Sequence, residues 1–370
     1  MKRTFFWIMI LVATWVRAQY PKNTLSLLFM GDIMGHQPQI DGAFNPQTQK
    51  YDYRPVFDKI KPHFLQNDYA IGNLEVTLAG KPYKGYPQFS SPDELAVACR
   101  NAGINVLVTA NNHSCDGGKK GIVRTLEVLD FLTIAHTGTF RDTKEFEHKN
   151  LLKLSANGIS IGILNYTYGT NGLPIPQPTV VNQIDFEKIK LDIEKALNED
   201  IDKLIIFIHW GDEYKNSQSK TQEQVAEFLF KNGADVIIGS HPHVLQPMVY
   251  TPKTDTQKER LVVYSLGNFV SNQRTSPRDG GAMYELVFER KDNEVLIKNH
   301  GYHLIWVNKT PVNNRSLFEI LPCKEYEQAN FKNLNDTAKK QMQIFINHSR
   351  NLFKKHNVKC KRIVDLERVI

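Results

Sequence analysis

The feature that most constrains this chain is a recurrence: a short run apolar on both parities, followed at once by glycine, acid, amide or imidazole. Leu25 to Met30 runs into Gly31-Asp32, Tyr69 to Gly72 into Asn73-Leu74-Glu75, and Val106 to Thr109 into Asn111-Asn112-His113-Ser114-Cys115-Asp116. Leu204 to Ile208 runs into His209-Trp210-Gly211, and Val236 to Ile238 into Gly239-Ser240-His241-Pro242-His243. Runs apolar on both parities read as strands buried on both faces, and Ile159 to Leu164 and Leu261 to Ser265 share the pattern. Amphipathic stretches lie between them. Ser91-Pro92-Asp93-Glu94 reads as a capping box whose helix closes at Gly103, Thr221 and Gln224 open a helix ending near Gly233, and Asp185 to Asn198 is another. This alternation predicts a layered α/β domain with helices flanking a sheet.

In an open α/β sheet the carboxyl ends of the strands gather at one crevice. Five strand ends therefore deliver Asp, Glu, Asn and His side chains to one place. Imidazole with carboxylate suits Zn, Mn, Fe or Ni better than Ca, and a site that keeps one position open supports hydrolysis. The rival signatures Walker A and G-x-G-x-x-G are absent from the sequence. Each cluster alone is weak, since a single His after a strand is more often a hydrogen-bonded structural residue. Their order along the chain is what points to metal-dependent hydrolysis.

The ordered set Gly31-Asp32, Asn73-Leu74-Glu75, Asn111-Asn112-His113 with Asp116 and Gly117, His209-Trp210-Gly211 with Glu213-Tyr214, Gly239 through Pro247, and Tyr264 through Phe269 resembles the capsule synthesis protein CapA family. That family is linked to poly-γ-glutamate synthesis or export and is similar to calcineurin-like metallophosphoesterases; the resemblance covers about residues 25 to 305. It implies a four-layer αββα sandwich of mixed strand direction. It implies a first metal held by Asp32 and His243, a bridging Glu75, a second metal held by Asn112, His209 and His241, and His113 as general acid oriented by Asp116. One or two divalent ions (Mn, Zn or Fe) would be bound. Asn73, Glu213, Tyr214 and Asn268 fall to substrate contacts or to support of the ligands. The sequence departs from the phosphoesterase pattern at Met34, where Asp-x-His would place an imidazole, and His36 lies two residues further on. The bridging acid is Glu75 where Asp is usual.

The expected activity is hydrolysis of a phosphodiester or a γ-glutamyl amide in surface-polymer metabolism, by metal-activated water with His113 protonating the leaving group. The alternative is a non-catalytic component that binds an anionic polymer beside capsule synthesis or export machinery. Lys2 and Arg3 precede an apolar run, Phe5 to Val16, and Val16-Arg17-Ala18 offers a cleavage site, so residues 1 to 18 read as a signal peptide and the protein as exported, periplasmic or at the cell surface. The net charge of +7 divides unevenly: residues 1 to 18 carry three basic side chains, and residues 324 to 370 carry eleven basic and five acidic ones, leaving −2 between. A near-neutral body with a basic tail is not the footprint of a nucleic-acid-binding domain. Phe331, Leu334, Ala338, Met342, Phe345 and Leu352 give that tail helical spacing, so it reads as a basic helical extension after a domain of residues 19 to 323. It could grip a polyanion, or it could be a solvated helix face. Gly169 to Pro178 is a Gly/Pro-rich loop, either a substrate-side segment or a surface connection. Cys323 and Cys360 bracket the tail and are the pair to test for a disulfide, with unpaired buried thiols for all four cysteines as the alternative. Phe269 reads as core, and Tyr214 as core or functional.

Overall fold

The computed structural model describes residues 23–312 and 315–363; the N-terminal basic and apolar run lies outside them. Two sheets face each other. The larger has eight strands, in the order Arg315–Pro322, Glu294–Val312, Gly280–Lys291, Thr24–Ile33, Tyr69–Leu74, Val106–Val108 and Ala135–Thr137, with Asn268–Val270 pairing beside Thr24–Ile33. The smaller has six, in the order Met248–Thr251, Arg260–Val263, Val236–Ser240, Lys203–His209, Ile159–Thr167 and Leu152–Ala156. In each sheet a parallel centre carries antiparallel strands at an edge, the mixed direction expected.

The apolar parity of the strands explains the layering. Leu25, Leu27 and Phe29 meet Ile161, Ile163, Ile205 and Phe207 between the sheets. The alternate residues of the same strands point outward: Leu28 and Met30 pack under Phe57, Phe64, Leu95 and Cys99, while Leu164, Ile206 and Ile208 pack under Ile189, Ile193, Val225 and Leu229 of two helices. A strand buried on both faces must be covered on both, and the result is the four-layer αββα sandwich.

Helix ends differ in detail from the sequence reading. Helix Glu94–Ala102 closes at Gly103 with φ 114, as expected, but no Ser91 capping box forms: Asp93 is the N-cap residue, and its carboxylate is taken by Arg124 at 2.6 Å. Helix Lys220–Asn232 opens one step earlier than Thr221; its capping box is Ser219 with Gln222, whose side chain accepts from the Ser219 amide at 2.9 Å. Ser219/Gln222 and Thr221/Gln224 fit the same spacing, so pattern alone could not separate them. Helix Phe186–Leu197 is capped by Asp185 as its periodicity predicts.

The tail is helical, as its spacing predicts, and it is also part of the core. Asn335 caps the helix Asp336–His356, whose Met342, Phe345, Ile346 and Phe353 join the apolar layer between the sheets. Its basic face is not uniformly free: Arg350 and Arg362 both meet Glu327, whereas Lys339, Lys340, Lys354 and Lys355 are exposed. All four cysteines are buried free thiols, so Cys323 and Cys360 are not bridged. Among the described residues no helix is long and apolar enough to cross a membrane. Because Phe345 is fully buried in the inter-sheet layer, Phe345→Ala is expected to destabilise the full chain by about 3–5 kcal/mol in urea unfolding. Lys340→Ala, on the exposed face, is expected to change it by less than about 0.5 kcal/mol.

Candidate metal centre

Register delivers the polar side chains to one point. Asp32 pairs with Asn73 on one side and Asn268 on the other, and His209 pairs with Ser240. The pairing slips between Met30 and Asp32, so a bulge at Gly31 re-aims the acid. Only glycine fits there, because a Cβ on residue 31 would stand 2.0 Å from the Gly267 carbonyl oxygen. His241 and His243 sit at φ 99 and φ 57, left-handed values that are costly for a non-glycine residue and that are held here by the surrounding turn. The turn thereby presents both imidazoles of the His-Pro-His segment to the same crevice.

Two triads result. Asp32, Glu75 and His243 bring one donor atom each to within 4.8 Å of one another, and so do Glu75, His209 and His241; every member is buried. Glu75 belongs to both. Its Oε1 lies 3.5 Å from His209 Nε2 and 3.9 Å from His243 Nε2, and neither carboxylate oxygen has a hydrogen-bond partner. Asp32 Oδ2 lies 3.2 Å from His243 Nδ1, and its Oδ1 accepts from Asn73 Nδ2 at 2.8 Å. Asn112 Oδ1 is 3.0 Å from His209 Nε2, whose Nδ1 is 2.9 Å from Ser240 Oγ. His241 Nδ1 is buried with no partner.

Burial, then the neighbouring Asp32 carboxylate, push the Glu75 carboxyl well above the ordinary range. Burial, reinforced by the other imidazoles, holds His209 well below its usual value and lowers His241 to about 3. Neutral imidazoles beside a carboxyl group whose buried oxygens have no partner are the ligand types a divalent transition ion takes, so the residues fit the metal that the sequence implied.

His113 stands beside this cluster with Nδ1 2.8 Å from Asp116 Oδ2, which also accepts from the Phe89 amide at 2.6 Å. The Phe89 ring packs edge-on against His113 with centroids 4.6 Å apart. No hydrogen-bond partner for His113 Nε2 occurs among the described residues, leaving that nitrogen for a substrate.

The remaining expectations divide. Asn73 supports the ligands directly, contacting both Asp32 and His209. Asn268 braces the site: its Nδ2 donates to the His243 and Arg278 carbonyls, at 3.3 and 2.8 Å. Tyr214 is 43% exposed and lies 6.1 Å from the His243 ring, which removes it from the core, whereas Trp210, Tyr264 and Phe269 are buried. Glu213 is exposed on the same turn, close enough to act on Glu75. Met34 is packed in the outer apolar layer, so no imidazole occupies that position. His36 belongs to neither triad; its Nδ1 faces Gln39 Oε1 and the Asn272 amide, and burial lowers it to about 4.

Tyr168 was not anticipated. Its ring stacks over His209 with an interplanar angle of 11° and lies 4.6 Å from His241, while Asn171 in the following loop meets Asn112 Nδ2 at 3.3 Å. It follows the strand Ile159–Thr167 directly, so the strand-end rule that found the other clusters, applied to this strand, would have found it. The loop beyond Gly169 thus begins beside His209, His241 and Asn112.

The model of a bacterial capsule synthesis protein family, PGA_cap, matches residues 26–273. The capsule biosynthesis protein CapA of Bacillus anthracis is 28% identical over 78% of this chain and 72% of its own. The PGA biosynthesis protein CapA of Bacillus subtilis (strain 168) is 28% identical over 69% of this chain and 65% of its own. A solved calcineurin-like phosphoesterase, YfkN from Bacillus subtilis, aligns loosely, at 16% identity and a TM-score of 0.44, over 89% of this chain and 98% of its own. With the matched segment running from the first strand past the Asn268–Val270 strand, and so taking in every residue of both triads, the chain belongs to the bacterial capsule synthesis protein family PGA_cap.

Proposed function

We propose that the protein is an exported, metal-dependent hydrolase acting on an anionic surface polymer of the capsule type, at a γ-glutamyl amide or a phosphodiester. The observation that carries this reading is Glu75: a fully buried carboxylate, shared by two triads, with both oxygens unpartnered. Asp32 and His243 would hold one ion, His209 and His241 with Asn112 the other, and Glu75 both. The chemistry such an ion supplies is Lewis acidity, which polarises an acyl or phosphoryl oxygen and acidifies water. His113, held through Nδ1 by Asp116, presents Nε2 to give a proton to the leaving amine or alkoxide. Asn73 and Ser240 fix the orientation of His209. The relatives named for capsule and PGA biosynthesis supply the polymer, and the N-terminal basic and apolar run supplies the route out of the cell.

Two measurements test this. Elemental analysis of the purified chain is expected to give one to two equivalents of Mn, Zn or Fe per chain. His241→Ala and His243→Ala are each expected to lose part of that metal, and Glu75→Gln most of it, because only Glu75 serves both triads. In hydrolysis assays on γ-glutamyl oligomers and phosphodiesters, His113→Ala is expected to cut turnover by about 10²–10⁴-fold with the metal content unchanged. Full metal with no turnover in the wild-type chain would contradict the hydrolase and favour a polymer-binding component.

A further inference from the structure

We propose that Arg278, poised over the Tyr214 ring at the mouth of the metal centre, is the residue that recognises an anionic oxygen group of the substrate, a carboxylate or a phosphate. The inference deepens the hydrolase reading by naming how that site selects its substrate. The Arg278 Cζ lies 4.4 Å from the centroid of the Tyr214 ring, and the same ring lies 6.1 Å from His243, so the cation stands one aromatic ring away from a metal-ligand candidate. Tyr214 is exposed and Arg278 is partly so, which leaves both open to a ligand.

Arg278 is not neutralised by a salt bridge. Arg124, Arg141, Arg290 and Arg350 each hold a carboxylate in a salt bridge. Among the described residues none lies within salt-bridge distance of Arg278. Its sequence neighbour Asp279 is turned inward, 2% exposed, with its Oδ2 accepting from Trp306 Nε1 at 2.9 Å. The other arginine of the segment, Arg274, packs over Trp306 instead of facing Tyr214. Glu213, exposed on the Tyr214 side, acts on the Tyr214 hydroxyl together with Arg278.

The position is also fixed. Asn268 Nδ2 donates to the Arg278 carbonyl at 2.8 Å and to Gln273 Oε1 at 3.1 Å, and Gln273 Nε2 reaches the Tyr214 hydroxyl at 3.5 Å. Asn268 is at once the register partner of Asp32 and the donor to the His243 carbonyl. One asparagine thus ties the guanidinium segment to the two residues of the first triad. A guanidinium is planar and offers its nitrogens as a fork, the geometry that receives carboxylate or phosphate oxygens. On a polymer with an anion in each repeat, a bond held at the triads would bring a neighbouring anion to this cation.

The test is isothermal titration of the full chain, loaded with Mn²⁺, using two probes: a synthetic γ-linked glutamyl pentapeptide and inorganic phosphate. Arg278→Gln is expected to weaken binding of at least one probe by about 10- to 100-fold, with metal content equal to wild type, and Arg278→Lys to recover part of the loss. The probe that responds identifies the anion as carboxylate or phosphate. Unchanged affinities in Arg278→Gln, or no binding of either probe to the wild-type chain, would overturn the proposal while leaving the metal centre standing. Repeating the titrations in EDTA separates the two readings: if the chain takes up no metal, the wild-type to Arg278→Gln ratio in the chelated protein still decides the role of Arg278.

Discussion

A carboxylate buried without a partner is the constraint on which the rest of this structure turns. Glu75 is fully buried, its two oxygens accept no hydrogen bond, and a second acid, Asp32, stands beside it. Removing one such charge from water costs on the order of several kcal/mol, and a like charge alongside raises that cost. Burial holds His209 and His241 beside it neutral, so these imidazoles add no compensating charge. A divalent cation between these groups would offset the desolvation of both acids: Asn73 and His243 meet Asp32, but no hydrogen bond among the described residues reaches Glu75.

The fold exists, from this viewpoint, to hold that arrangement against its own cost. The acids come from the larger sheet and three of the imidazoles from the smaller one or its loops, so the site straddles the two packed layers. Small local devices set the final aim: the bulge at Gly31, where the Gly267 carbonyl excludes any side chain, and the two left-handed histidines on either side of Pro242. The inter-sheet apolar layer fixes the sheets relative to each other, and the C-terminal helix contributes to that layer through Met342, Phe345 and Ile346. Stability at the tail and geometry at the triads are therefore parts of one packing problem.

Much of this was legible in the sequence because it depends on periods and strand ends. Both-parity apolar runs dictate strands covered on both faces, and the polar residue after each run lands in the crevice by topology alone, which is why Asp32, Glu75, Asn112, His209, His241 and His243 could be named together. The family resemblance added the pairing of ligands into two sets with Glu75 between them, and Glu75 lies between Asp32 and His243 on one side and His209 and His241 on the other. What could not be read were features that depend on contacts between distant segments. The apolar spacing of the tail predicted a helix without predicting which layer it would enter. Ser219 and Thr221 offered equal caps to one helix. Arg278 lies in an irregular segment with no period to mark it, and its significance comes from Tyr214, some sixty residues earlier in the chain. Tyr168 is different in kind: it obeys the strand-end rule, but a tyrosine carries no metal-ligand signal in the sequence.

The central claim is that one carboxylate serves two cation positions. Anomalous diffraction from crystals of the chain equilibrated with Mn²⁺ or Zn²⁺ addresses it most directly, because it locates the ions without reference to any reaction. The account expects anomalous peaks on both sides of the Glu75 carboxylate, one toward Asp32 and His243 and the other toward His209 and His241. Ions bound only elsewhere, with the Glu75 oxygens still unpartnered, would contradict it.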